Sequence, residues 1–169
     1  MTILGGDFST NKLAVVCEGW DTTWVKAIML PPKASMPQKT YAAYQGMSEF
    51  LGTVNLTADR HAFIEAPIVA GARNLQTTIK QAMVSGGAQT ALIEWGFTVH
   101  LVPPASWKKE IIGKGNARKE QVGPVIQQVW RSVFEIASGD QDILDAASCC
   151  LYGISMVRRS ERPDALGLA

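Results

Sequence analysis

The sequence predicts an α/β domain built on one five-stranded mixed sheet, three strands antiparallel and then two parallel, flanked by helices. Three observations carry this reading. The first thirty residues hold three short apolar runs separated by tight turns, the pattern of an antiparallel meander. Two later apolar runs are reached through stretches of helical periodicity, the pattern of strands joined by helices. The chain is 169 residues long, which suits one domain with a sizeable core.

Ile3 to Phe8 is the first strand, and Ser9-Thr10-Asn11-Lys12 is the turn after it. Leu13 to Glu18 is the second strand, Gly19 to Thr22 contains a turn, and Trp24 to Leu30 is the third strand. Pro31, Pro32 and Pro37 bracket a loop. Tyr41 to Leu51 reads as a helix, with Tyr41, Tyr44 and Phe50 assigned to packing along its face. His61 to Glu65 is the fourth strand, ended by Pro67. A long helix is expected from Ala72 to Glu94, with Leu75, Ile79, Met83 and Ile93 near one face. Gly86 and Gly87 inside it mark either a close backbone approach, within the fold or across a dimer, or a break at Ser85-Gly86-Gly87. Thr98 to Val102 is the fifth strand, closed by Pro103-Pro104. Arg118 to Ile136 reads as one helix, and Asp142 to about Val157 as the last, capped by Ser138 or Asp140. A single domain over 1–158 and a flexible tail over 159–169 complete the expected organisation.

Composition narrows the function classes. Hydrophobic residues at 47% and charged residues at 18% describe a globular chain, not a disordered one. No apolar run is long enough for a membrane span, and Met1 to Gly6 do not form an export signal, so a cytoplasmic location is expected. Cys17, Cys149 and Cys150 suit neither a zinc site nor a disulfide framework and read as reduced core thiols. Net charge is only +1, so bulk electrostatics do not announce a nucleic-acid partner. The distribution says more: Lys108, Lys109, Lys114, Arg118 and Lys119 stand together against the single acid Glu110, and Arg158, Arg159 and Arg162 form a second cluster.

Four carboxylates carry the chemistry. Asp7 and Glu65 each close an apolar strand, where a charge is costly to desolvate without compensation. Asp142 and Asp145 stand three apart at the start of the last helix and therefore share a face. Convergence on hard divalent cations, which take oxygen ligands, explains all four together. The helix macrodipole accounts for an acid at Asp142 alone. Asp140, the competitor for that position, is assigned to the cap. His61 and His100 have no partner at metal-ligand spacing and are assigned structural roles. Trp107 either stacks on nucleic acid or lies partly in the core.

Ile3-Leu4-Gly5-Gly6-Asp7, Phe63-Ile64-Glu65, Trp107 to Val122 and Asp142-Ile143-Leu144-Asp145-Ala146-Ala147, in this order and spacing, resemble the RuvC family of Holliday-junction resolvases. The resemblance spans Ile3 to about Met156. It implies a ribonuclease H-like fold, with Asp7, Glu65, Asp142 and Asp145 as ligands of Mg²⁺, which Mn²⁺ can replace, two ions to a site. It matches Lys108 and Lys119 to lysines that engage the scissile region; as a cation Lys119 can serve the chemistry, the basic cluster adds Lys109, Lys114 and Arg118 as DNA contacts, and the hydroxyls of Ser9 and Thr10 can contact a phosphate. The implied activity is a Mg²⁺-dependent endonuclease that resolves four-way junctions as a homodimer and leaves 5′-phosphate ends. The long helix with Gly86 and Gly87 is the candidate interface. Ala66-Pro67-Ile68 departs from relatives that place a wedging aromatic after the glutamate, and Gly5-Gly6-Asp7-Phe8-Ser9 departs from the commoner Asp-Pro-Gly turn. Length and divergence suit a bacteriophage-encoded member. Three alternatives stand beside it: a nuclease acting on flaps, forks or RNA, a non-catalytic junction-binding protein, and an actin-like phosphotransferase. The last would need a second domain and a phosphate loop that the chain lacks.

Overall fold

A computed structural model describes residues 1–68 and 74–161. Its strands are β1 (Thr2–Phe8), β2 (Lys12–Glu18), β3 (Thr23–Met29), β4 (Arg60–Glu65) and β5 (Thr98–Val102). Their order in the sheet is β3-β2-β1-β4-β5, with the first three antiparallel and β1, β4 and β5 parallel. The expected mixed sheet is therefore present, with β1 at its centre. The helices are α1 (Met36–Leu51), α2 (Leu75–Glu94), α3 (Pro104–Ile112), α4 (Val122–Val129), α5 (Arg131–Ala137) and α6 (Gln141–Ser160).

Strand alternation divides the core in two. Leu4, Phe8, Leu13, Val15, Cys17, Ala62 and Ile64 point to the α1–α2 layer. Ile3, Ala14, Val16 and Phe63 point to the opposite layer, where α6 lies over the sheet. Cys17, Cys149 and Cys150 are buried free thiols, as expected. Among the described residues no helix is long and apolar enough to cross a membrane.

Several boundaries differ from the sequence reading, each for a local reason. α1 starts five residues before Tyr41, because Ser35 and Gln38 form a capping box and Pro37 occupies the first turn, where its missing N–H costs nothing. Phe50 is core and Tyr44 packs partly buried against it, its hydroxyl donating to Glu94 (2.7 Å), whereas Tyr41 is exposed and stacks on Tyr44. α3 is a helix that the sequence reading did not assign, and it carries Lys108 and Lys109 of the basic cluster. The helix expected over Arg118 to Ile136 is interrupted: Trp130 adopts φ −148°, ψ 64°, which ends α4 and starts α5. α6 runs past Val157 to Ser160, so Arg159 and Ser160 are helical. Ala72 of the expected long helix, Arg162 of the second basic cluster and the rest of the tail from 162 to 169 lie outside the described residues.

α2 is continuous through Gly86 and Gly87. A Cβ on Gly87 would lie 2.2 Å from the Thr40 carbonyl oxygen of α1, so this glycine serves close helix approach inside the fold. Gly86 faces open space. Gly87→Ala should destabilise the protein by about 1–3 kcal/mol through overpacking, whereas Gly86→Ala should stabilise it by up to about 1 kcal/mol through helix propensity. Equilibrium urea denaturation of both variants checks the contrast, and equal effects would remove the α1–α2 contact as its cause.

Candidate active site

Parity along the strands decides which side chains meet. Asp7 shares its face with Ile3 of β1, Glu65 with Phe63 of β4, and Lys12 with Ala14 and Val16 of β2. All of them face α6. Gly6 pairs with Ile64 in parallel register, so Asp7 and Glu65 are neighbours one residue further on. On α6, Asp142 stands at the helix start and the nearly buried Asp145 one turn later.

Glu65, Asp142 and Asp145 all lie close enough to Asp7 for their charges to act on it. Burial, reinforced by the charges of Glu65, Asp142 and Asp145, pushes the Asp7 carboxyl from its ordinary 3.8 up to about 8, against the pull of Lys119. Burial also raises Glu65 and Asp145, opposed by a hydrogen bond from Trp107 in the first case and from Gln141 in the second. Among the described residues, the Asp7 carboxylate receives no hydrogen bond. An all-oxygen cluster in which the charges of three acids add to the burial that raises Asp7 fits a hard divalent cation. Among the described residues no three Asp, Glu, His or Cys groups already form a cage.

Donors from three elements hold the acids in place. Trp107 of α3 is fully buried and its indole N–H donates to Glu65 Oε2 (2.8 Å). The two open readings of Trp107 thus resolve to the core, with its polar edge in the site. Lys12 Nζ lies 2.8 Å from both Asp140 Oδ1 and Asp142 Oδ2. Burial disfavours the charged lysine, but hydrogen bonds and charge from Asp140 and Asp142 outweigh it and raise its pKa. Asp140 caps α6 by accepting from the Asp142 N–H (3.1 Å), as expected. Burial acts to raise its pKa, but the Lys12 contact prevails and lowers it. Gln141 Nε2 donates to Asp145 Oδ1 (2.8 Å).

The other expected contributors are spread around this centre. Lys119 is exposed, with Nζ 3.9 Å from Asp145 Oδ2. Lys108 Nζ sits 5.4 Å from the centroid of the Trp107 ring. Lys109, Lys114 and Arg118 are exposed on α3 and the turn after it. Ser9 Oγ is engaged in the β1–β2 turn, accepting from the Lys12 N–H (3.1 Å) and donating to the Lys12 carbonyl (3.1 Å). The Thr10 carbonyl accepts from the buried Lys39 Nζ (3.0 Å). These two residues shape the turn beside Asp7. His61 and His100, assigned structural roles, meet each other: Nδ1 of His61 lies 3.2 Å from Nε2 of His100, and His100 stacks on Phe63. Adjacent parallel strands brought them together, which sequence spacing alone did not reveal. Arg159 pairs with Glu110 (2.5 Å) and joins α6 to α3. Sequence reasoning missed Lys12, Gln141 and the role of Trp107. For Lys12 the signal was present, since it has the parity of Ala14 and Val16 on β2.

Known proteins match this chain in sequence and in shape. The family model "Crossover junction endodeoxyribonuclease RuvC" matches residues 35–151, more than two thirds of the chain, and so includes Glu65, Lys108, Lys119, Asp142 and Asp145. A crossover junction endodeoxyribonuclease RuvC of Alkalilimnicola ehrlichii is 29% identical over 79% of this chain and 78% of its own length. That of Chlamydia caviae is 30% identical over 71% and 68%. The structure of Thermus thermophilus RuvC in complex with a Holliday junction substrate aligns over 95% of this chain and 96% of that one, with a TM-score of 0.74 at 17% identity.

The raised Asp7 carboxyl makes stability depend on pH. It titrates at its ordinary 3.8 in the unfolded chain and at about 8 in the fold. The native state therefore binds the extra proton between those values. The stabilisation is complete below 3.8 and is lost as pH rises through about 8. Metal-free protein should melt at progressively lower temperature from about pH 5 to about pH 8, and Asp7→Asn should flatten that decline. Thermal melts of both proteins in EDTA measure it, and identical pH slopes would show that Asp7 is not the responsible group.

Proposed function

The chain belongs to the RuvC family, and from that premise we propose that it is a structure-selective DNA endonuclease that resolves four-way (Holliday) junctions by paired, symmetric nicks. The observation that carries the reading is the convergence of Asp7 and Glu65, on adjacent strand ends, with Asp142 and Asp145 of the helix packed over that face. Asp7, Glu65, Asp142 and Asp145 hold the metal, Mg²⁺ with Mn²⁺ as a substitute, two ions to a site. Bound there, such ions would supply activation of water and stabilisation of the leaving oxygen of the phosphodiester, and the expected products carry 5′-phosphate and 3′-hydroxyl ends.

The chain's own groups divide the remaining work. Lys119 stands at the open side of Asp145, where a cation meets charge developing on the phosphoryl oxygens. Lys108, Lys109, Lys114 and Arg118 supply sequence-independent phosphate contacts beside it, with Ser9 and Thr10 at the turn next to Asp7 as further contacts. The acid set is complete, which speaks against a non-catalytic junction binder.

Two nicks in symmetric strands require two sites, so the active form is a C₂ homodimer. α2 supplies the surface: Leu75, Ile79, Met83 and Ile93 are exposed along it, and Gly86 is open.

Cleavage of a synthetic four-way junction beside flap, fork, linear duplex and RNA substrates, with Mg²⁺ and with EDTA, tests the activity. Wild-type protein should cut the junction in Mg²⁺ alone. Asp7→Asn, Glu65→Gln and Asp145→Asn should lose cutting while keeping junction affinity, and Lys119→Ala should lose rate more than affinity. Preference for flaps, forks or RNA would move the reading to those substrates, and full cutting in EDTA would refute the metal site. Sedimentation tests the assembly: wild type should be a dimer, and Ile79→Glu and Met83→Glu should yield monomers. A wild-type monomer both alone and on junction DNA would overturn the paired-nick model.

A further inference from the structure

We infer that Lys12, Trp107 and Gln141 form a frame of hydrogen-bond donors that pins one oxygen on each of three of the four carboxylates, and thereby tunes the site toward Mg²⁺ and against Ca²⁺. The inference rests on the metal reading proposed above.

The frame is read atom by atom. Lys12 Nζ engages Asp142 Oδ2 at 2.8 Å. Trp107 Nε1 engages Glu65 Oε2 at 2.8 Å. Gln141 Nε2 engages Asp145 Oδ1 at 2.8 Å. The carboxylate oxygens left outside the frame are Asp142 Oδ1, Glu65 Oε1, Asp145 Oδ2 and both oxygens of Asp7. Asp7 alone can use two oxygens without breaking a contact.

The donors differ in chemistry but share rigidity. Lys12 is itself gripped by both oxygens of Asp140, at 2.8 and 2.9 Å. Trp107 is fully buried in the core beneath α6, so its ring has no other place to go. A buried indole N–H needs an acceptor, and Glu65 provides it. Gln141 reaches its partner four residues along the same helix.

Denticity is where the two ions differ. Ca²⁺ takes six to eight oxygens and readily uses both oxygens of one carboxylate. Mg²⁺ demands a tight octahedron and takes single oxygens plus water. An acid with one oxygen pinned offers what Mg²⁺ uses and withholds the chelate that Ca²⁺ favours. Lys12, Trp107 and Gln141 are therefore positioning residues that act through Asp142, Glu65 and Asp145.

The test measures binding apart from cleavage. Full-length protein without DNA is loaded with Mn²⁺, and Mg²⁺ or Ca²⁺ alone is titrated in competition while the spin resonance of free Mn²⁺ is followed. Wild type is compared with Lys12→Met, Gln141→Leu, Trp107→Phe and Asp7→Asn. Each frame variant should lose about tenfold or more in Mg²⁺ affinity, as removal of an outer hydrogen bond typically does, and hold or gain Ca²⁺ affinity. The ratio of the two affinities should fall by the same factor. Trp107→Phe keeps the ring and removes only the N–H. Lys12→Met and Gln141→Leu lie nearer the surface and keep the test alive if the Trp107 variant fails to fold. An unchanged ratio in folded Lys12→Met and Gln141→Leu would overturn the frame while the metal site stood. Equal Mn²⁺ binding by wild type and Asp7→Asn is a distinct result: it would overturn the metal reading and the frame with it.

Discussion

Four acids in one cleft repel one another, and what holds them there is the closeness of α6 to β1. A Cβ on Gly5 would lie 2.1 Å from the Ala146 carbonyl oxygen and 2.3 Å from the Cys150 backbone nitrogen. The helix thus rests on the strand almost backbone to backbone. Gly5 stands two residues before Asp7, and Ala146 follows Asp145 directly. The same contact that packs the core on this side of the sheet therefore sets the separation of the two acids. Any side chain at Gly5 would push α6 outward and open the cleft. Small or short residues along the facing stretch, Ala146, Ala147, Cys149 and Cys150, all buried, fit this demand.

The start of α6 is fixed by a second device. A helix N-terminus favours negative charge through its macrodipole, so Asp140 and Asp142 are at home there even without a metal. Lys12 then ties both to β2. Lys39, buried under the β1–β2 turn, bonds the Thr10 carbonyl and Asn11 Oδ1 (3.0 and 2.8 Å) and steadies the segment that precedes Lys12. Two lysines thus connect the chemistry to the two layers around the sheet, Lys12 on the α6 side and Lys39 from α1. The burial and repulsion that raise Asp7 are tolerated because neighbouring charges of both signs are held at defined places.

The strands were legible in the sequence because period-two alternation and turn residues are local signals, and all five fall within a residue or two of their expected ends. The four acids were legible for the same reason: strand ends and an i, i+3 spacing are local. What escaped was relational. Trp107 looked equally suited to stacking and to packing, because its burial depends on α3 closing over Glu65 from another part of the chain. The break at Trp130 followed no glycine at that position, and the periodicity of Arg118 to Ile136 continued across it. His61 and His100 are thirty-nine residues apart and meet only through the parallel pairing of β4 with β5. Lys12 carried a usable cue in its parity, but a turn lysine is ordinary until its acidic partners from the far end of the chain are seen.

The two layers divide labour in a way that bears on assembly. The α6 layer and the strand residues facing it contain every acid of the cleft, whereas the α1–α2 layer covers the opposite face of the sheet with an apolar core. Gly87 belongs to that core through its contact with α1, while Gly86, one position before it, turns outward. Adjacent glycines thus serve different surfaces, which one-residue resolution on a helix permits because neighbours point about 100° apart. The outward face of α2 carries Leu75, Ile79 and Met83 at helical spacing without a covering element among the described residues. A pairing through that face would bury the exposed apolar stripe and leave the α6 side of both chains uncovered. Two clefts would then remain open to one large, symmetric ligand, which is the arrangement that a four-way junction with two equivalent strands requires.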